Sequence, residues 1–124
     1  VDYAYSGSTI EVAISTLDRE CKDIDPILMK IDVEGHELDL LQGAQEVLNK
    51  SSLLAVIIEG QTDDVNQTFR EAGFVDISYD PLTRALRPHG GTGSNRIWIK
   101  SVMIDEVSNR LKSAKKLSIY GASF

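Results

Sequence analysis

Lys30-Ile31-Asp32-Val33-Glu34-Gly35-His36-Glu37 reads as the end of a buried strand, a tight turn at a glycine and the start of a helix. Side chains alternate faces along a strand, so Met29, Ile31 and Val33 share one face and Lys30, Asp32 and Glu34 the other. A strand inside a parallel sheet is normally apolar on both faces, because helices cover both. Three charged residues on one face therefore need a reason. Asp32 and Glu34 fall at the carboxyl end of the strand, where open α/β sheets place their ligands. A purely structural account is equally open. Lys30 can ion-pair with a carboxylate on a neighbouring strand, such as Glu59, and Asp32 and Glu34 can accept hydrogen bonds from the next helix's first turn. His36 reads as a solvated first-turn residue and Glu37 as a complement to the helix dipole.

Outward from this stretch, the apolar spacing sets the other elements. Upstream, Thr9 to Ser15 alternates with Ile10, Val12 and Ile14 on one face, which predicts a strand. Ser15 or Thr16 then caps a short helix that ends before Asp23-Ile24-Asp25-Pro26. The central strand spans Ile27 to Val33. Downstream, Leu40, Leu41, Ala44, Val47 and Leu48 form one stripe of a helix over residues 36–50, with Gly43 marking a close approach of backbones. Leu53 to Ile58 is continuously apolar, the pattern of a strand buried on both faces, and Glu59-Gly60 closes it. If this strand lies parallel beside the first, Glu59 comes close to Asp32. Thr62 or Asp63 caps a helix that Gly73 terminates, and Phe74 to Tyr79 alternates as a strand. Thr83 to Arg87 forms a brief strand. Pro88–Ser94 is glycine-rich but lacks a Gly-Lys-Ser/Thr ending and leads into a strand, Asn95 to Lys100, so it reads as a mobile hairpin connection and not as a phosphate loop. Met103, Val107, Leu111 and Ala114 predict a helix over 102–116, with Lys112, Lys115 and Lys116 near its carboxyl end.

Composition bounds the function classes. The chain has 124 residues, enough for one domain or part of one, with 42% hydrophobic and 26% charged residues. A net charge of −6 argues against a nucleic-acid or anionic-membrane partner. The single cysteine, Cys21, rules out an internal disulfide and suits a reducing cytoplasm. No apolar run approaches the ~20 residues of a membrane span. The chain opens at Val1 without a methionine and is expected to be a piece of a longer polypeptide.

The element order is that of a parallel α/β sheet finishing in an antiparallel hairpin. It resembles the second half of the class I, Rossmann-like, S-adenosylmethionine-dependent methyltransferase fold, whose last strand runs antiparallel to the rest. Four blocks narrow the resemblance. They are Ile10 to Asp18, Leu28 to Glu37 with its Lys-Ile-Asp-Val-Glu-Gly core, Leu40-Leu41-Gln42-Gly43-Ala44, and Val56-Ile57-Ile58-Glu59. In order and spacing they are similar to the FkbM-type methyltransferases, over about Thr9 to Lys100. Residues 1–100 then form the carboxyl-terminal half of such a domain, and 101–124 a terminal helix and tail.

The resemblance implies S-adenosylmethionine as cofactor and O-methylation of a sugar or other small-molecule hydroxyl. It implies Asp32 as the group that orients or deprotonates the acceptor, His36 as the second candidate, and Glu34 and Glu59 as acceptor-binding residues. The family's glycine-rich turn and ribose-binding acidic residue do not occur in this chain. They are expected ahead of Val1, so the residues that grip the cofactor are unassigned and the chain by itself is expected to be inactive. Two other readings are weighed beside it. One is a metal-dependent hydrolase or phosphotransferase built on Asp32, Glu34 and Glu59. The other is a non-enzymatic half-domain whose uncovered sheet edge pairs with a second copy or with the missing amino-terminal half.

Overall fold

The computed structural model describes residues 7–88, 93–114, 118–119 and 122–123. Its elements are α1 (Leu17–Glu20), β1 (Leu28–Ile31), α2 (Glu37–Gln42), α3 (Gln45–Asn49), β2 (Ala55–Glu59), α4 (Asp63–Glu71), β3 (Phe74–Asp80), β4 (Ala85–Pro88), β5 (Asn95–Lys100) and α5 (Ile104–Ser113). A 3-10 turn, Ser101–Met103, leads into α5. Two short strands, β6 (Ser118–Ile119) and β7 (Ala122–Ser123), pair antiparallel with each other. The main sheet has five strands in the order β1-β2-β5-β3-β4. It is mixed: only β1 and β2 hydrogen-bond in parallel, and β5 runs antiparallel between β2 and β3.

That topology corrects the expected hairpin. β4 and β5 are not partners, because each pairs antiparallel with β3, on opposite sides of it. The glycine-rich segment therefore carries the chain from one side of β3 to the other. Residues 89–92 of that segment, and with them its reading as a mobile connection, lie outside the described residues, as do 115–117 with Lys115 and Lys116. The hairpin is β3–β4, closed by a turn in which the Asp80 carboxylate accepts the Leu82 N–H at 2.9 Å. Arg84 has a left-handed φ of 55° there. Its guanidinium donates to the carbonyls of Leu111 and Ala114 at 3.0 and 2.5 Å. The hairpin turn thus caps the carboxyl end of α5, which has unpaired carbonyls and a partial negative charge.

The helices α1 to α4 cover one face of the sheet and α5 part of the other. Under the four helices lie Ile31, Leu41, Val47, Leu48, Val56, Ile58, Phe69, Phe74 and Trp98, none more than 3% exposed. Phe69 stacks on Trp98 with ring centres 4.9 Å apart and meets Phe74 edge-on at 5.8 Å. On the opposite face Ile77 and Ile99 are buried. A groove of about 360 Å³ lies between α5 and the strands there, lined by Leu28, Ile57, Ile97, Val107 and Leu111 among others. β2 is thus fully covered on one face only. Val56 and Ile58 are buried, whereas Ala55 and Ile57 are half-buried.

Two expected elements change form. Thr9 to Ser15 is not a strand: Ile10, Val12 and Ile14 are 85%, 71% and 92% exposed. A strand needs a neighbour for its backbone N–H and C=O groups, and none of the described strands pairs with this segment. The single helix expected over 36–50 is two, α2 and α3, broken at Gly43-Ala44. The break arises where α1 is seated. The Gly43 carbonyl accepts the Asp18 N–H at 2.9 Å, and a Cβ at Gly43 would stand 3.1 Å from the Thr16 side chain. The expected close approach is therefore there. Thr16 caps α1 through the Arg19 N–H. Asp18 then reaches across 29 positions to accept the Val47 N–H at 2.9 Å, capping α3, whose own N-cap, Ala44, has no side-chain acceptor. Asp18→Ala is expected to cost about 1 kcal/mol, within the 0.5–2 range of lost N-caps. A lowered urea midpoint with an unchanged slope checks it.

Candidate active site

The site is built where β1 and β2 end. Their register pairs Ile31 with Ile58, so Asp32, the residue after β1, and Glu59, the last residue of β2, each follow a paired position at the same edge of the sheet. Beyond Asp32 the backbone turns sharply: Glu34 has φ 42° and Gly35 φ 95°. A left-handed residue other than glycine costs about 1–3 kcal/mol and persists only where its surroundings enforce it.

The enforcing group is Glu37, the first residue of α2. Its carboxylate accepts the Gly35 N–H with both oxygens, at 3.0 and 3.1 Å. That bond, followed by Glu37's own N–H and the charge of His36, holds its carboxyl below the usual carboxylate range. Asp80 is held low in the same way, chiefly by the Leu82 N–H. Both groups stabilise the fold above the ordinary carboxylate range and lose that contribution as pH falls through their lower folded values. Urea midpoints measured from neutral pH downward are expected to fall through this acid window, and less steeply in Glu37→Gln.

Sequence reasoning missed this role. The signal was a carboxylate two residues after a turn glycine at a helix start, which is capping geometry as much as dipole complementarity. The expected structural partners do not form. Among the described residues Lys30 makes no ion pair, and the carboxylate that accepts from the backbone at this turn belongs to Glu37.

His36 lies beside Asp39, with Nδ1 3.5 Å from the carboxylate. Both line a cleft of about 430 Å³ with Ile14, Ser15, Thr16, Leu17, Glu20, Val33, Leu40 and Gly43. Asp32, Glu34 and Glu59 are exposed and are not among its lining residues. The structure thus separates the four candidates: His36 on the cleft wall, and Asp32 just after β1, Glu34 in the following turn and Glu59 at the end of β2 outside it. Ser15, Glu20 and Asp39 join the site without having been singled out. Asp39 was visible as an i,i+3 partner of His36; Ser15 and Glu20 enter only because α1 and the residues before it dock at the junction of α2 and α3. The apolar wall and the two carboxylates suit a partly apolar ligand that is neutral or cationic, and disfavour an anion. No three His, Cys, Asp or Glu side chains converge as a metal site among the described residues, so the Asp32/Glu34/Glu59 metal reading finds no ligand set.

Compared with known families, residues 3–75 match the model of the methyltransferase FkbM domain. The chain belongs to the FkbM methyltransferase domain family. The match covers more than half of the chain and takes in α1 through α4, the strand tips and the cleft. It ends at the second residue of β3, so the remainder of the sheet and α5 lie beyond the matched part of this FkbM domain. Searches of curated proteins and of solved structures found no match. No helix among the described residues is long and apolar enough to cross a membrane.

Proposed function

We propose that the protein transfers a methyl group from S-adenosylmethionine to a hydroxyl of a sugar or related small molecule. In this reading the chain supplies the acceptor-side half of a class I, Rossmann-like domain over residues 1–100, with 101–124 as its terminal helix and tail. The observation that carries it is the parallel register of β1 and β2, in which Ile31 pairs with Ile58, so that both strands end at one edge of the sheet, with His36 on the wall of a separate cleft of about 430 Å³. Two further features support it. The antiparallel β5 sits between β2 and β3, the arrangement expected of a methyltransferase sheet whose last strand reverses. The edge of β1 away from β2 has no ladder partner among the described residues, and in this reading it takes a strand of the domain's preceding half. The lone free thiol of Cys21 suits a cytoplasmic enzyme.

When bound, S-adenosylmethionine supplies an electrophilic methyl group on a positively charged sulfonium. Of this chain's residues, Leu17, Val33 and Leu40 would offer it an apolar wall and the Glu20 carboxylate a complementary charge. Asp32 orients the acceptor hydroxyl and takes its proton. Glu34 and Glu59 accept hydrogen bonds from the acceptor's other hydroxyls, fixing its approach. His36, steadied by Asp39, is the second proton-accepting group. The test uses the full-length protein with methyl-labelled S-adenosylmethionine and a panel of methyl glycosides and simple alcohols. Base-stable label on a hydroxyl acceptor is the expected result. Label that base releases, as from a methyl ester, or no transfer to any hydroxyl, overturns the reading.

A further inference from the structure

Asp32 and Glu59 lead into separate turns, after β1 and after β2, and a reaction that uses both needs those turns held at one spacing. We propose that Glu37 is a positioning residue of the site, its carboxylate bracing the turn after β1 against the turn after β2. The inference rests on the methyl-transfer reading above and adds a residue that does not itself contact the acceptor.

Both sides of the brace are visible. On one side the Gly35 N–H donates to both carboxylate oxygens, at 3.0 and 3.1 Å, which holds Glu34 and Gly35 in their left-handed conformations. On the other side the carboxylate lies against Gly60, which follows Glu59. A Cβ at Gly60 would stand 3.2 Å from Glu37 Oε1 and 3.3 Å from Cδ. Gly60 also has φ 90°, so it is suited to glycine by conformation and by space. Its N–H is directed to the Ser94 carbonyl at 3.4 Å, tying the tip of β2 to the start of β5. One carboxylate thus touches the turns that follow Asp32 and Glu59. A residue serving only the helix dipole needs neither a two-oxygen contact with Gly35 nor packing on the neighbouring strand's turn.

Glu37→Gln keeps the shape but replaces one acceptor oxygen with an N–H donor that faces the Gly35 N–H. In the full-length protein the expected result has two parts. The amide resonances of Gly35 and Gly60 both shift, while those of Leu82 and Thr83 in the β3–β4 turn stay in place. Methyl transfer to a hydroxyl probe loses on the order of 10–100-fold in kcat with KM near the wild-type value, the signature of misplacement and not of lost binding. Gly60→Ala pushes the carboxylate from the opposite side and is expected to give the same kinetic signature, which keeps the test open should Glu37→Gln fold poorly. An unmoved Gly60 amide, or an undiminished kcat beside an active wild type, overturns the inference and leaves the methyl-transfer reading standing. A wild type that methylates no hydroxyl probe overturns that reading and the inference with it.

Discussion

Asp32→Asn is expected to lower methyl transfer by roughly 10²–10⁴-fold, the usual contribution of a positioned proton acceptor. Asparagine keeps the shape and a hydrogen-bonding oxygen but cannot take the hydroxyl proton. The loss should fall on kcat, since acceptor orientation through the remaining oxygen survives. Stability is expected to stay within about 0.5 kcal/mol of wild type, because Asp32 is exposed and joins none of the ion pairs among the described residues. Initial rates across acceptor concentrations, with circular dichroism as the fold control, decide it. If Asp32→Asn keeps its rate and His36→Gln loses it, the base is the histidine on the cleft.

The largest expected effect on folding belongs to Phe69→Ala. Phe69 is fully buried at the centre of the core, stacked on Trp98 and edge-on to Phe74. Truncation removes the transfer free energy of the ring and leaves a cavity between two aromatic neighbours. The measured cost of such changes is about 3–5 kcal/mol, a large share of the 5–15 kcal/mol that holds a typical domain together. The aromatic geometry itself adds ~0.5–1.5 kcal/mol beyond area. Urea unfolding followed by Trp98 fluorescence is expected to show a much lower midpoint. A loss under 1 kcal/mol would mean that α4 does not pack on the sheet as described.

The legibility of the fold followed the range of the interactions involved. β1, β2, α4 and β3 were readable because each carries its own signal: an apolar run or alternation, a capping threonine at Thr62, a stop at Gly73. The parallel pairing of β1 with β2 was readable because a strand–helix–strand unit commonly places consecutive strands side by side. The Thr9–Ser15 segment has the same alternation as a strand but no partner among the described strands, and alternation alone satisfies no backbone group. The break at Gly43 depended on α1 docking there through Asp18, a contact between residues far apart in sequence. The placement of β5 between β2 and β3 was equally non-local, since nothing in Asn95 to Lys100 says which strand it joins.

The site divides along the same line. Sequence alone singled out the candidate residues, because the Asp32-Val33-Glu34-Gly35-His36-Glu37 order places acidic groups and a histidine at a strand-to-helix turn. It also determined the family, to which the chain belongs over residues 3–75. Only the tertiary structure decided how those residues are shared out. His36 faces a cleft with Glu20 and Asp39, the three carboxylates at the strand tips do not gather into a metal site, and Glu37 lies between Gly35 and Gly60. The reason is physical. Local sequence sets the conformation of a turn through its own backbone, but the distance between two turns is set by strand pairing and packing, and those belong to the whole chain.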